Sequence, residues 1–260
     1  MHTEYSSDPV PSSTNIRRTR KFLIPRQKRR IFFFRFILMT VLGWIVGGIA
    51  SLALKRFFVD LLPAVINFPH PILSVWGEYV SNLLFALIFG ADQALVVRQY
   101  VSGRRWMITT TLGWLVATNV SALWVQHIYF QAVSLERVLS SQEIFLYGFL
   151  STLAYIISGL WLGFFQWLVL RRYAVNAWKW VFVPAISFFL ISFSMLFLAQ
   201  AREVIPLLKQ NVVSYFSEQI LTALMLGIVP GIMFCTLRIR PKVKPESEVG
   251  SQETGVRSQE

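Results

Sequence analysis

Apolar runs of about 20 residues alternate with short polar or charged clusters along residues 31–240 of this chain. An α-helix needs about 20 mostly apolar residues to cross the hydrocarbon core of a bilayer. The pattern therefore predicts an all-α membrane protein with six transmembrane helices, arranged as three tandem helical hairpins. The predicted spans cover residues 31–54, 76–97, 106–125, 144–170, 180–199 and 220–237.

The segments outside these spans are polar, basic or rich in proline. Residues 1–30 begin with serines and prolines and become strongly basic, which predicts a disordered cytosolic arm. Residues 241–260 are rich in polar residues and contain prolines, so they are predicted to form a disordered cytosolic tail. Residues 55–75 contain three prolines and predict an outer loop that lies partly in the membrane interface. Further outer loops are predicted over residues 127–143 and, with some helix, over residues 200–219.

The distribution of positive charge predicts the orientation in the membrane. Of the 25 lysines and arginines, twenty lie in the arm (counting Arg35), in the turns at 98–105 and 171–179, or from residue 238 onward. Short loops rich in lysine and arginine stay on the cytosolic side. Both termini are therefore predicted to be cytosolic, and six spans, an even number, satisfy that condition.

Composition supports the membrane interpretation over a soluble one. The chain is 55% hydrophobic and 15% charged, whereas a soluble domain has about 25% charged residues. The net charge of +12 is explained better by topology than by a nucleic-acid partner, so no nucleic acid is expected. The basic arm is expected to contact anionic lipid headgroups as well as to anchor the topology.

A spacing of small residues and glutamine recurs in the second, fourth and sixth predicted spans. The frame is a small residue, then glycine four positions later, then glutamine after three more. The odd spans carry an aromatic residue followed seven positions later by a small one. These two patterns predict an internal repeat of three hairpins, whose third copy departs from the frame at Pro230 and Ser187. The members are Ala86, Gly90 and Gln93; Gly159, Gly163 and Gln166; Ala223, Gly227 and Pro230; Phe36 and Gly43; Trp106 and Gly113; Trp180 and Ser187.

The candidate site residues come from this frame. Gly90, Gly163 and Gly227 are predicted to allow close helix packing, because small residues one turn apart let backbones approach in lipid. Gln93 and Gln166 lie one turn further along the same faces. Each is expected to hydrogen-bond across helices, with a polar lining around a transport pathway as the alternative.

Asp92 is the one acidic residue well inside a predicted span. An intramembrane acid suggests a function by default. It lies near the basic turn that follows, so pairing with Arg104 or Arg105 is favoured over a proton-relay role. The other copies of the frame carry no matching acid; Phe165 occupies the aligned position.

The sequence contains no phosphate-binding loop, no paired zinc-ligand histidines and no nucleophile elbow. The single cysteine, Cys235, excludes an internal disulfide and a cysteine-cluster metal site. His70 and His127 are predicted on the same outer side, but no other ligand type accompanies them. We therefore predict no catalytic residue, no metal and no cofactor, and we do not expect an enzyme.

Two motifs carry a resemblance to a known group of proteins. The first is Gly163-x-x-Gln166-Trp-Leu-Val-Leu-Arg171, and the second is Thr-x-Leu-Gly-Trp at residues 40–44 and 110–114. Through these repeats most of residues 31–240 resembles a group of bacterial multi-pass membrane proteins of cyanobacterial type. The resemblance implies a bacterial cell membrane, inner or thylakoid, and it transfers no catalytic residue.

Two functions remain open from the sequence. The first is a non-enzymatic membrane protein that scaffolds or assists a membrane protein complex through its helix faces and outer loops. The alternative is a small-molecule or ion transporter with a pathway between the hairpins near Gln93 and Gln166. The shortage of intramembrane charge argues against ion coupling.

Overall fold

Six long helices make up most of the protein. The computed structural model describes residues 22–62, 70–134, 137, 140–204 and 211–241. All six helices are long and apolar enough to cross a membrane, so the chain is an integral, multi-pass membrane protein of the all-α class. The helices are α1 (Arg29–Arg56), α2 (His70–Val97), α3 (Gly103–Val133), α4 (Ser141–Leu170), α5 (Phe182–Val204) and α6 (Asn211–Thr236).

The helices are longer than the predicted spans, mainly at the end remote from the chain termini. Helix α3 continues to Val133, and α6 begins at Asn211, nine residues before the predicted start of its span. The stretches 126–133 and 211–219 contain neither glycine nor proline. Polarity alone suggested loops there, whereas the absence of helix breakers allows the helices to continue into the predicted outer loops.

The helices form a closed ring in chain order. Each helix packs against its neighbours in sequence, and α6 also packs against α1. The most extensive contacts join α1 to α2 and α3 to α4, as expected for the first two hairpins, whereas α5 and α6, the predicted third hairpin, share the least extensive contact in the ring. Consecutive helices of this kind are antiparallel, so the start of each odd helix lies at the same end of the ring as the end of each even helix. We call this the basic end.

Short main-chain pairings close the basic end. Residues Ala174–Val175 (β1) pair antiparallel with Arg238–Ile239 (β2), next to an isolated bridge between Phe22 and Arg238. The Leu23 amide donates to the Leu237 carbonyl oxygen at 2.8 Å. We call these pairings the terminal clasp. Phe22 and Leu23 join the chain before α1 to the chain after α6, and β1 joins the turn between α4 and α5 to the same segment.

The terminal clasp gives structure to residues that the sequence analysis assigned to the disordered arm. Ile24 is fully buried, and residues Arg26–Lys28 form a 3-10 turn that leads into α1. The apolar triplet at residues 22–24, followed by Pro25, accounts for this order, because burying it removes apolar surface from water. Residues 1–21 and 242–260, the remainder of the predicted arm and tail, lie outside the described residues.

The interior of the ring is filled by two layers of aromatic and aliphatic side chains. The layer nearer the basic end contains Phe36, Trp106, Trp180 and Phe234. The next layer contains Phe89, Trp114, Leu162, Phe188 and Leu226. The candidate residues of the sequence frame lie at and between these two layers.

Candidate functional site

The two predicted glutamines are buried and tie neighbouring helices together. Gln93 on α2 is 3% exposed and Gln166 on α4 is 4% exposed. The indole N–H of Trp106 donates to Gln93 Oε1 at 3.4 Å, and that of Trp180 donates to Gln166 Oε1 at 2.8 Å. The first bond is long for an N–H···O interaction and the second has ideal length. The first bond crosses from α2 to α3. The second crosses from α4 to the short 3-10 helix Ala177–Val181, which leads into α5.

Gln166 makes a second interhelical bond that Gln93 lacks. Its Nε2 group donates to Thr110 Oγ1 at 3.2 Å, which links α4 back to α3. Gln166 therefore bridges three consecutive helices in the interior of the ring. Buried amides in a bilayer need such partners, because an unpaired polar group in a water-free interior is costly.

The aromatic partners of the glutamines meet at the centre of the ring. The Trp106 and Trp180 rings lie edge to face with centroids 5.7 Å apart. Phe234 packs on both, at 5.2 Å from Trp106 and 4.5 Å from Trp180, and Phe36 lies 5.5 Å from Phe234. The sequence frame identified Phe36, Trp106 and Trp180, but it missed Phe234, which lies outside the repeated pattern. We call these four side chains the aromatic plug.

The tryptophans of the Thr-x-Leu-Gly-Trp motifs form part of the second layer. Trp44 and Trp114 lie edge to face at 5.8 Å, and Phe188, which follows Ser187, lies 6.4 Å from Trp114. Trp44 also donates its indole N–H to Gln219 Oε1 at 2.9 Å, which links α1 to α6. The packing role of this motif was not apparent from the sequence, because the spacing alone does not show where an aromatic ring points.

The three candidate glycines allow close approach of the next helix around the ring. A Cβ on Gly90 would lie 3.1 Å from the carbonyl oxygen of Met107, and one on Gly227 would lie 3.1 Å from Ile37 Cα. A Cβ on Gly163 would lie 2.2 Å from the Val181 carbonyl oxygen, which is too close for any side chain. In each case the contacted residue directly follows the aromatic residue of the neighbouring odd helix.

Asp92 lies apart from this arrangement. A Cβ on Gly43 would be 2.8 Å from Asp92 Oδ2, so the carboxylate lies against α1. Arg104 and Arg105 are exposed in the first turn of α3. Within the described part of the chain Asp92 makes no ion pair and no hydrogen bond, so the favoured pairing with Arg104 or Arg105 is not present. Gln93, the adjacent residue, occupies the face that turns toward α3.

Only a small cavity remains between the aromatic plug and the second layer. It has a volume of about 10 Å³, close to the minimum that holds one water molecule. Gln93, Gln166 and Ser187 supply its polar lining, and Trp106, Trp180 and Pro230 lie among its apolar walls. The side chains around this cavity leave room for about one water molecule.

The remaining chemical candidates do not come together. Among the described residues no three His, Cys, Asp or Glu side chains lie close enough to hold a metal ion. Cys235 is half-buried, and its thiol lies 3.9 Å from the Arg29 carbonyl oxygen. His127 is exposed on α3, and the side chain of His70 lies outside the described residues.

The structure thus brings Gly90, Gln93, Gly163, Gln166 and Gly227 into one interior arrangement of helix contacts and leaves Asp92 at its edge. No family model, no curated protein and no solved structure matches this chain. The resemblance to bacterial multi-pass membrane proteins therefore remains a prediction from the two motifs.

Proposed function

We propose that this protein is a non-enzymatic membrane scaffold, which holds or assists a membrane protein complex through its outer helix faces and loops. The observation that carries this proposal is the filled interior. The aromatic plug and the second layer leave about 10 Å³ between them. A protein whose interior is used for packing offers its outer surface, rather than a central pathway, for function.

The glutamines support a packing role within this proposal. Interhelical hydrogen bonds in membranes are worth roughly 0.6–2 kcal/mol each. Gln93 accepts one such bond, and Gln166 takes part in two. The carbonyl oxygens of both amides are occupied by indole N–H groups rather than pointing free into a pathway. We infer that the recurring frame is one packing unit used three times, with close glycine contacts at all three junctions.

The transport alternative requires a second conformation in which the plug opens. A specific feature favours keeping it: two amides and the Ser187 hydroxyl reach the small cavity, although most of its lining is apolar, and polar groups inside a membrane bundle are costly unless they serve a purpose. Transport would need Trp106 and Trp180 to separate from the glutamines. The shortage of charge inside the spans makes an uncharged small molecule or water the more suitable cargo.

Proteoliposome permeability separates the two functions. A scaffold is expected to leave the permeability of the bilayer to water, glycerol and monovalent ions at the level of protein-free vesicles. Two variants are compared in the same assay. W180A/Q166A removes side chains from the aromatic plug and its hydrogen bond, whereas the control F197A removes a lipid-exposed ring of α5. Wild-type flux well above that of protein-free vesicles, abolished by a substitution that fills the axial cavity such as S187L, would favour transport and contradict the scaffold.

Mild-detergent co-purification followed by mass spectrometry tests the scaffold directly. The expected result is that one membrane protein copurifies with the chain in a fixed ratio. The W180A/Q166A variant is expected to copurify with the same protein. Recovery of the chain as a homogeneous single species, with no companion protein under several mild detergents, would count against a scaffold.

We also propose that both termini are cytosolic in a bacterial cell membrane, inner or thylakoid. The lysines and arginines of the described turns lie at the basic end, while the ion pairs Lys55–Glu78 and Arg137–Glu143 lie at the other. This asymmetry supports the orientation through the positive-inside rule. The basic arm would then face anionic cytosolic lipid headgroups. Reporter fusions at the C-terminus test this; an extracytoplasmic signal would reverse the assignment.

A further inference from the structure

An open groove of about 270 Å³ lies at the basic end, between the start of α3 and the end of α4. Three arginines line it: Arg105 from the first turn of α3, and Arg171 and Arg172 from the end of α4. The hydroxyl-bearing Thr109 lies among them, and its walls include the apolar side chains of Ile108 and Leu168. We call this feature the arginine groove.

The positive charge of the arginine groove has no acidic partner in the described chain. The two ion pairs that the described residues form are Lys55–Glu78 and Arg137–Glu143, both at the opposite end of the ring. The sequence stretches 96–108 and 166–184, which form this part of the basic end, contain no aspartate or glutamate. Three guanidinium groups that are not neutralised by the protein attract an anion from outside it.

The main chain that carries two of these arginines is held in place. The Arg240 side chain donates from Nη1 to the Arg171 carbonyl oxygen at 3.0 Å, and the Arg240 amide donates to the Tyr173 carbonyl oxygen at 2.9 Å. The guanidinium of Arg171 lies over the Trp167 ring at 5.4 Å. The main chain of this turn and the Arg171 side chain are therefore positioned by the protein itself, which lowers part of the ordering cost of binding.

All three hairpins carry lysines and arginines at the basic end, as the positive-inside rule leads us to expect. The second hairpin brings three arginines, Arg105, Arg171 and Arg172, to the lining of one groove. Arginine forks bind phosphate oxygens in pairs, which gives geometry as well as charge. Apolar walls beside three such forks suit a ligand with a phosphate group at a membrane surface.

We propose that the arginine groove binds a phosphate group, supplied either by the headgroup of an anionic phospholipid or by a free phosphate ion. Arg105, Arg171 and Arg172 contact the phosphate oxygens, and Thr109 lies within the same groove. If the phosphate belongs to a lipid, Ile108 and Leu168 lie beside the start of its acyl chains. The residues that line the groove belong to α3, α4 and the turn after α4, and the inference goes beyond the scaffold proposal.

Native mass spectrometry of the full chain in detergent tests the lipid source, with phosphatidylglycerol compared with phosphatidylcholine. Each basic residue near an anionic surface contributes about fivefold in affinity, so R105Q/R172Q is expected to bind phosphatidylglycerol about 30-fold more weakly. The matched control R104Q/K179Q removes the same charge at the basic end from exposed residues outside the groove. It is expected to retain phosphatidylglycerol binding within a fewfold of the wild type.

Calorimetric titration with inorganic phosphate tests the free-ion source with the same two variants. The pair R105K/R172K keeps the charge but loses the fork geometry, so it is expected to bind with intermediate affinity. If R105Q/R172Q loses phosphatidylglycerol binding and the control does not, the phosphate comes from a lipid headgroup. If R105Q/R172Q instead loses binding of inorganic phosphate, and the wild type does not distinguish the two lipids, the ligand is the free ion. Equal binding of both lipids with no phosphate binding, or equal loss in the control, would overturn the proposal. Unfolding temperatures of all variants establish that the comparison is between folded proteins.

Discussion

Replacement of Gly163 by alanine gives the sharpest test of the interior packing. The new Cβ would lie 2.2 Å from the Val181 carbonyl oxygen and 2.7 Å from its carbonyl carbon. Both are backbone atoms, so no side-chain rotation relieves the overlap, and α4 has to separate from the 3-10 helix that leads into α5. Separation also stretches the bond from Trp180 to Gln166, whose present length is 2.8 Å. Overpacking a tight interior costs about 1–3 kcal/mol, and we expect Gly163→Ala to reach the upper end of that range.

The same helix supplies a matched control. Gly148 on α4 has no atom within 4 Å of its Cβ position, so Gly148→Ala meets open space. Alanine is favoured over glycine in a helix by roughly 1 kcal/mol, so this variant is expected to be neutral or slightly stabilising. Gly90→Ala and Gly227→Ala, with nearest contacts of 3.1 Å, should fall between the two.

Reversible unfolding in detergent micelles, followed by circular dichroism, measures the series. The expected order of stability is Gly148→Ala, then Gly90→Ala and Gly227→Ala, then Gly163→Ala. A Gly163→Ala variant as stable as the wild type would refute the close approach of α4 and α5. Equal losses for Gly163→Ala and Gly148→Ala would show that alanine in α4 is disfavoured for a reason unrelated to packing.

Three further predictions use the same unfolding measurement. In a double-mutant cycle, W180F and Q166L are expected to show a coupling energy of about 1 kcal/mol, because the bond from Trp180 to Gln166 measures 2.8 Å. W106F and Q93L are expected to show a smaller coupling energy, because the bond from Trp106 to Gln93 measures 3.4 Å. A larger coupling energy for the Gln93 pair would contradict this. Phe234→Ala is expected to cost about 3–5 kcal/mol, since it empties the centre of the aromatic plug, whereas Phe197→Ala on the lipid-exposed face serves as the control and should cost far less. Asp92→Asn should leave stability within about 0.5 kcal/mol of the wild type, because the carboxylate has no partner in the described residues; a large loss would reveal an ion pair.

The sequence predicts the class of fold well, because apolar length and the distribution of positive charge are both direct consequences of the bilayer. It also predicts which faces of the even helices pack, since the spacing of Gly90 and Gln93, or of Gly163 and Gln166, places them along one face. It could not predict the partners of the glutamines, which come from the next helix and depend on how the ring closes. Phe234 could not be predicted either, because it lies outside the repeated pattern and its contacts with Trp106 and Trp180 depend on how the ring closes.

Two differences from the sequence expectations have clear physical origins. Residues 22–24 were included in a disordered arm because basic residues surround them, yet their apolar side chains are enough to dock the chain onto the bundle. Asp92 was paired with the basic turn by its distance along the chain. The rotation of about 100° between successive helical residues directs it to α1 instead, while Gln93 turns to α3.

A tryptophan donates to a glutamine at all three junctions between hairpins, but from different positions in the third. At α2–α3 and α4–α5 a tryptophan donates to a glutamine, whereas the corresponding positions at the α6–α1 junction are Pro230 and Phe36, which have no such donor or acceptor. Because position 230 has no amide and position 36 has no indole N–H, neither group is buried there without a partner. One of the two groups without the other would be costly.

The α6–α1 junction is the one that joins the two ends of the chain, so no connecting turn holds it. Main-chain bonds of the terminal clasp, from Leu23 to Leu237, and the bond from Trp44 to Gln219 lie at this junction. Main-chain pairing does not depend on the side chains at positions 36 and 230. The described residues directly before α1 and directly after α6 therefore help to close the ring at the junction where no connecting turn does so.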